Sequence, residues 1–250
     1  MTAKPVERYA GLHMQRAYEG LDVVVTGGSG ALGTAVTRLL LEDGAHCFVP
    51  VRGTRPLEGI EFSGSPRLTL IEGIDLTAVA SVSRLYQKVP RLWASIHCAG
   101  GFSMQPFAEI EMPSLQGQIG MNLLSCLLCC RQAVRAFRTI DPPRGGRIVN
   151  VTARAALEPR LGAGKVAYTL SKAAVAALTE SLGEEVAGEG IWVNAVAPSI
   201  MDTPANRAAM PDADVSRWPS VEAVAQTIAF LASPRNQATR GGIIPVYGRE

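Results

Sequence analysis

Short β-branched runs alternate with longer helical patterns along nearly the whole chain, and no other feature narrows the possible folds so far. The series begins with Val23-Val24-Val25, followed by a helical pattern over 31–43. Further runs predict strands over 47–51, 68–71, 94–98, 147–151, 191–196 and 243–246, and helices over 77–88, 115–138, 165–187 and 219–232. Strand-helix-strand order of this kind predicts an α/β chain, a doubly wound parallel sheet of about seven strands with helices on both faces. No internal repeat, low-complexity tract or linker interrupts the pattern. Residues 21–250 are therefore expected to form one domain behind an N-terminal arm over 1–20.

Composition sets the functional bounds. A chain of 250 residues, 47% hydrophobic and 18% charged, has enough apolar material for a sizeable core. Its formal net charge of +2, with scattered charges, is too mild for a nucleic-acid or membrane-surface protein, so a small-molecule partner is expected. Residues 1–20 carry Lys4, Glu7, Arg8, Arg16 and Glu19 without an apolar core, unlike a secretion signal. The apolar stretch from Leu123 to Cys130 falls well short of the roughly 20 residues that cross a bilayer. Five cysteines, Cys47, Cys98, Cys126, Cys129 and Cys130, lack disulfide-framework spacing, and a reducing, cytoplasmic setting follows. Cys126, Cys129 and Cys130 lie in an apolar helix with no histidine at ligand spacing, so they are expected to be core, with no metal.

The first chemical feature is Thr26-Gly27-Gly28-Ser29-Gly30-Ala31-Leu32-Gly33, where the first strand turns into the first helix. Glycines there let backbone approach a pyrophosphate, and the helix N-terminus supplies N–H groups and positive potential. The second is Tyr168-Thr169-Leu170-Ser171-Lys172, because residues four apart on a helix share a face. An adjacent ammonium is expected to lower the phenol pKa towards one suited to proton exchange.

In these motifs and their order the chain resembles the short-chain dehydrogenase/reductase family, over about residues 21–248. The family's phosphate turn is T-G-x-x-x-G-x-G; Thr26, Gly27 and Gly33 sit in register, whereas Ala31 takes the middle glycine position and Gly30 precedes it. The resemblance implies a Rossmann-type fold and NAD(P)H-dependent hydride transfer with Tyr168 as proton donor. Lys172 would lower the tyrosine pKa and bind ribose, and Asn122 would hold a proton-relay water. It also implies adenine contacts from Asp75-Leu76, close packing on the cofactor at Ala99-Gly100, and a nicotinamide contact from Pro198, Ser199 and Thr203. Homodimers or homotetramers are usual in the family. His97 and Cys98 stand where two asparagines are usual, and His97 is expected to be a hydrogen-bonded strand-end residue.

One departure bears on substrate. The family's substrate-binding serine is missing: the two possible registers give Ala153 and Ala155, and Thr152, the nearest hydroxyl, should face away while the strand continues. Losing such a donor costs on the order of 3 kcal/mol at a developing oxyanion. The sequence is also similar to the dihydropteridine reductase branch, which lacks this serine, in Gly27–Gly33, Ala99-Gly100-Gly101, Ala155-Ala156-Leu157 and the stretch from Met201 through Asp214 to Trp218, a lid in the family. A pterin-like or other conjugated acceptor is then as well suited as a simple carbonyl; the alternative is a cofactor-binding sensor that has lost its chemistry. The second strand ends in Pro50-Val51-Arg52-Gly53 with no acid to hold a ribose 2′-hydroxyl. Arg52, helped by Arg55, would pair with a 2′-phosphate, which favours NADP(H) over NAD(H).

Overall fold

The protein is described from a computed structural model, which covers residues 16–53, 62, 64–142 and 144–250. Seven strands form one all-parallel sheet: β1 (Asp22–Thr26), β2 (His46–Pro50), β3 (Leu68–Ile71), β4 (Leu92–His97), β5 (Gly146–Val151), β6 (Ile191–Pro198) and β7 (Ile243–Val246). Their spatial order, β3-β2-β1-β4-β5-β6-β7, reverses direction between β1 and β4. That switch point opens a crevice at the carboxyl ends of the strands, where such sheets bind ligands.

Parallel neighbours require crossovers, and helices supply them. They are α1 (Ala31–Glu42), α2 (Val79–Gln87), α3 (Met112–Gln118), α4 (Ser125–Arg138), α5 (Arg154–Leu157), α6 (Val166–Glu185), α7 (Pro204–Ala209) and α8 (Val221–Ala232). The long helix expected over 115–138 is divided: a wider π-type segment, Ile119–Leu124, joins α3 to α4 and carries Asn122. Insertion of such a segment reorients the side chains it bears, and it is frequent at functional sites.

Alternate residues of each strand feed two cores. Val23, Val25, Ile96 and Val149 pack with α1 and α8 on one face. Val24, Leu92, Ile148 and Val193 pack with α2, α4 and α6 on the other. This two-sided burial explains why the strands read as near-continuous apolar runs. Residues 1–15 of the expected arm lie outside the described residues, but its end is not a surface arm. Tyr18 is buried against the α1–α8 side, its hydroxyl donates to the Ala229 carbonyl, and Ala17 N–H donates to Asp43 Oδ1 at 2.9 Å. An aromatic ring offers more apolar area than a surface position can use.

Candidate active site

Three strand ends bound the crevice. At the end of β1, Gly27 has φ +70°, and a β-carbon there would lie 2.6 Å from Ala99 N, so only glycine permits the close approach to β4. Thr26 Oγ1 accepts the Ala99 N–H at 3.2 Å and pins the same contact. A β-carbon on Gly33 would strike the Gly27 carbonyl. Ser29, Gly30 and Ala31 are exposed, while Leu32 anchors the helix in the core. Gly30 caps α1 with no side-chain hydrogen bond and no acid in the first turn, so the first N–H groups of α1 face the crevice end unopposed by a carboxylate. This cradle fits a pyrophosphate, and the displaced glycine at Gly30 does not obstruct it.

A cleft of about 850 Å³ runs from this turn past Arg52, Asp75, Leu76 and Ala99 to Met121. Arg52 and Asp75 face each other across it at 3.6 Å, with Arg52 largely exposed at 81%. Hydrogen bonds from the Thr77 hydroxyl (2.7 Å) and N–H (2.9 Å) hold the Asp75 carboxyl below its usual range, with Arg52 adding to the effect. Arg55 lies outside the described residues.

Beyond Ala99, the chain is held by Asn122, which is 1% exposed. Its Oδ1 accepts from Gly101 N–H at 2.9 Å, and the two hydrogens of its amide are shared among Gly101 O, Gln118 Oε1 and Ser171 Oγ, each 3.0 Å from Nδ2. Asn122 therefore secures the β4 turn to α6, a broader task than the relay expected of it. A β-carbon on Gly100 would meet Asn122 Oδ1 at 2.6 Å and Lys172 Nζ at 3.3 Å, which puts both groups against this glycine.

Tyr168 and Lys172 share the inner face of α6, as their spacing predicted. Burial pushes the Tyr168 phenol up to about 12. Burial likewise lowers the Lys172 ammonium to about 8, partly offset by Cys126 and Cys98. The expected depression of the tyrosine by Lys172 is thus not produced by the protein's own groups. The ammonium instead donates to the Val151 carbonyl at 2.8 Å, and desolvation dominates the phenol.

At the end of β5 the nearest hydroxyl, that of Thr152, is committed elsewhere. β5 ends at Val151, and the Thr152 hydroxyl turns to the Lys172 carbonyl at 2.6 Å, locking α6 to the sheet. Ala153 precedes α5 and Ala155 lies within it; both are buried, at 7% and 4% exposure. Pro198 ends β6, Ser199 Oγ donates to Tyr247 O at 3.1 Å, and Thr203 Oγ1 caps α7 by accepting from Asn206 N–H at 3.1 Å. The segment that follows is tied back: Asp202 N–H donates to Pro219 O at 3.0 Å, Arg249 N–H to Arg217 O at 2.9 Å, and Trp218 is buried.

One neighbour of the site was not anticipated, and one anticipated residue has contacts that the sequence did not suggest. Phe102 stands edge-on to Tyr168, with ring centroids 4.9 Å apart and planes at 78°. Gly101-Phe102 follows the β4 turn, and a lone aromatic after A-G is the only sequence signal for it. His97, as expected, is a buried strand-end residue bonded at both nitrogens, but it also meets Cys126 and Cys130. The sheet brings α4 a histidine that its own sequence lacks.

A family model described as short chain dehydrogenase matches residues 22–214. The chain is 28% identical over 238 residues to a 3-oxoacyl-[acyl-carrier-protein] reductase, FabG, of Rickettsia felis, covering 92% of this chain and 96% of that one. A short-chain type dehydrogenase/reductase from Mycobacterium ulcerans superposes with a TM-score of 0.83 at 24% identity, over 93% of this chain and 90% of that one. ElxO with NADP bound gives 0.81 at 23%, over 91% and 97%. With the glycine cradle, the Tyr168–Lys172 pair and this match over most of its length, the chain belongs to the short-chain dehydrogenase family and is an NAD(P)-dependent oxidoreductase.

Proposed function

We propose that the chain reduces a small conjugated or carbonyl acceptor, dihydropteridine-like in its chemistry, with NADPH as reductant and Tyr168 as proton donor. The reading is supported by the partly buried Tyr168 on α6, edge-on to Phe102, and by Ala153 and Ala155 after β5, where the family resemblance places a serine and this chain has no hydroxyl; burial keeps the phenol protonated, pushed up to about 12. A bound reduced nicotinamide supplies the hydride. Tyr168 delivers the proton to the acceptor and, with no hydroxyl at Ala153 or Ala155, also orients it. Lys172, with one proton committed to Val151 O, has others free to restore the phenol proton. Asn122 and Ser171 hold the Gly101 turn and α6 in fixed relation, and the exposed Phe102 ring offers a flat apolar wall. The acceptor that suits this pocket takes its proton directly on nitrogen or on a conjugated oxygen.

NADPH preference is supported by the acid-free end of β2 and by Arg52, whose weak, exposed pairing with Asp75 a 2′-phosphate would outcompete. The NADP held by ElxO agrees with it. Arg52→Ala should raise the KM for NADPH about tenfold more than that for NADH; a wild-type enzyme more efficient with NADH by over about tenfold overturns the preference. Free thiols at all five cysteines support a reducing, cytoplasmic setting. Exposed Leu124, Leu127 and Leu170 support assembly as a homodimer or homotetramer.

The test is NADPH oxidation with quinonoid dihydropterin, quinones, imines, simple ketones and 3-oxoacyl thioesters, the last because of the Rickettsia relative. Tyr168→Phe should retain cofactor affinity by fluorescence titration and lose about 10²–10⁴ in turnover. Full activity in that variant refutes the assignment. Cofactor binding without turnover of any acceptor marks a sensor.

A further inference from the structure

One buried cluster takes no part in the reaction described. His97 on β4, Cys126 and Cys130 on α4 and Asn150 on β5 converge behind the Cys98–Gly100 turn, all at most 5% exposed. The ligand atoms His97 Nδ1, Cys126 Sγ and Cys130 Sγ lie within 4.8 Å of one another. The two sulfurs stand 3.8 and 3.6 Å from Nδ1. A tetrahedral zinc ion with bonds of about 2.3 Å to sulfur and 2.0–2.1 Å to nitrogen demands sulfur-to-nitrogen edges of roughly 3.5–3.6 Å.

The surrounding hydrogen bonds are those a metal-ligating histidine requires. The other ring nitrogen, Nε2, is 2.8 Å from Ser95 Oγ, which in turn is 2.6 Å from Tyr86 OH, an outer partner that orients the ring. The Asn150 amide is equally fixed. Thr179 Oγ1 donates to Val175 O at 2.8 Å, so it must accept from Asn150 Nδ2 at 2.9 Å, which leaves Oδ1 facing the cluster. There Oδ1 confronts His97 Nδ1 at 2.7 Å and the two thiols at 3.2 and 3.5 Å. Three donors crowd one carbonyl oxygen with two lone pairs. A cation held by the ring nitrogen and the two thiolates removes these competing hydrogens; Oδ1, at 2.7 Å from Nδ1 against a tetrahedral nitrogen-to-oxygen edge of roughly 3.4 Å, draws back to enter as a fourth donor.

We propose that His97, Cys126 and Cys130, completed by Asn150 Oδ1, form a structural site for a divalent thiophilic cation of the zinc class. On binding, two thiols release two protons to solvent, and the metal dication with two thiolates makes a cluster of zero net charge, the form a dry core accepts. The ring binds through Nδ1 and keeps its proton on Nε2, donated to Ser95. Because the site is buried, the ion enters before α4 closes on β4, and it clamps α4, β4 and β5 behind the cofactor cleft.

The full chain, purified from zinc-supplemented medium, should hold about one zinc per chain by elemental analysis. Refolding with cobalt should give the intense visible absorption of a tetrahedral thiolate site. Cys126→Ala and Cys130→Ala should lose at least about tenfold of the retained metal, whereas Cys47→Ala, in the opposite core, should keep it. Should either variant fail to fold, zinc-edge X-ray absorption on the wild-type chain decides, with two sulfur neighbours at about 2.3 Å expected. A chain that refolds fully active with five titratable thiols and no bound zinc or cobalt overturns the site. So does zinc bound without sulfur, or retained by the two alanine variants.

Discussion

Two buried cations sit at opposite ends of β5, and they are solvated in different ways. Arg147, near its start, is 7% exposed and lies between two tryptophan rings, its guanidinium carbon 5.0 Å from the Trp93 centroid and 4.1 Å from that of Trp192. Its terminal nitrogens donate to Gly146 O and Asn236 O at 3.0 Å each. Only Nε lacks a partner among the described residues. Lys172, beside the strand's other end at 6% exposure, has one acceptor and no ring among the described residues. Burial lowers the pKa of both, but the delocalised guanidinium stays charged whereas the lysine comes within reach of neutral pH, at about 8. A cation surrounded by fixed partners serves stability; one left short of partners is free to bind a ligand or pass a proton.

The largest test of this contrast is Lys172→Met. The change should cost about a hundredfold or more in turnover, consistent with loss of a proton-transfer group. The folded state should be as stable as wild type or more so, since a poorly partnered buried charge is replaced by an apolar chain of similar length. Equal losses of stability and turnover on denaturant and kinetic measurement would make Lys172 as structural as Arg147. Next comes Arg147→Ala, expected to lower unfolding free energy by about 3 kcal/mol through lost ring contacts and orphaned carbonyls. Turnover per folded molecule should not change, and a selective fall in kcat would break the comparison.

The smallest effect concerns pH. Burial brings Lys172 down to about 8 in the folded chain from the usual lysine value of 10.5, so between these values the unfolded chain holds a proton that the folded chain has released. Stability from this group should therefore rise as pH climbs above 8, by on the order of 1 kcal/mol by pH ~9.5. The gain is seen as the difference between wild type and Lys172→Met in urea midpoints. A flat difference across that window shows a lysine better solvated than its burial implies.

Much of the site was legible because it is written locally. The glycine turn depends on backbone sterics within eight residues, and Tyr168 and Lys172 are joined by one helical turn, so neither needs distant contacts to be recognised. The alanines at 153 and 155 were equally plain, since a missing hydroxyl cannot be restored by folding. Thr152 was not legible: the alternation expected of it holds only within the strand, which ends at Val151, and its hydroxyl is set by the Lys172 carbonyl that accepts it. Asn122 was found by position, while its task depends on Gly101 and Ser171, which adjoin it only after the π-type segment turns it inward.

From sequence alone came the strand-helix order and the parallel sheet, which are properties of short-range periodicity, and the glycine turn, the Tyr168–Lys172 pair and the alanines at 153 and 155, whose proposed roles rest on the family resemblance of their motifs. Tertiary structure alone decided which way the pKa of Tyr168 moves, because burial depends on every element packed around the phenol. It also placed Phe102 against that phenol, packed Tyr18 into the core, set Arg147 between Trp93 and Trp192, and brought His97 to Cys126 and Cys130. These contacts join residues far apart in the chain, and sequence spacing carries no distance until the sheet has closed.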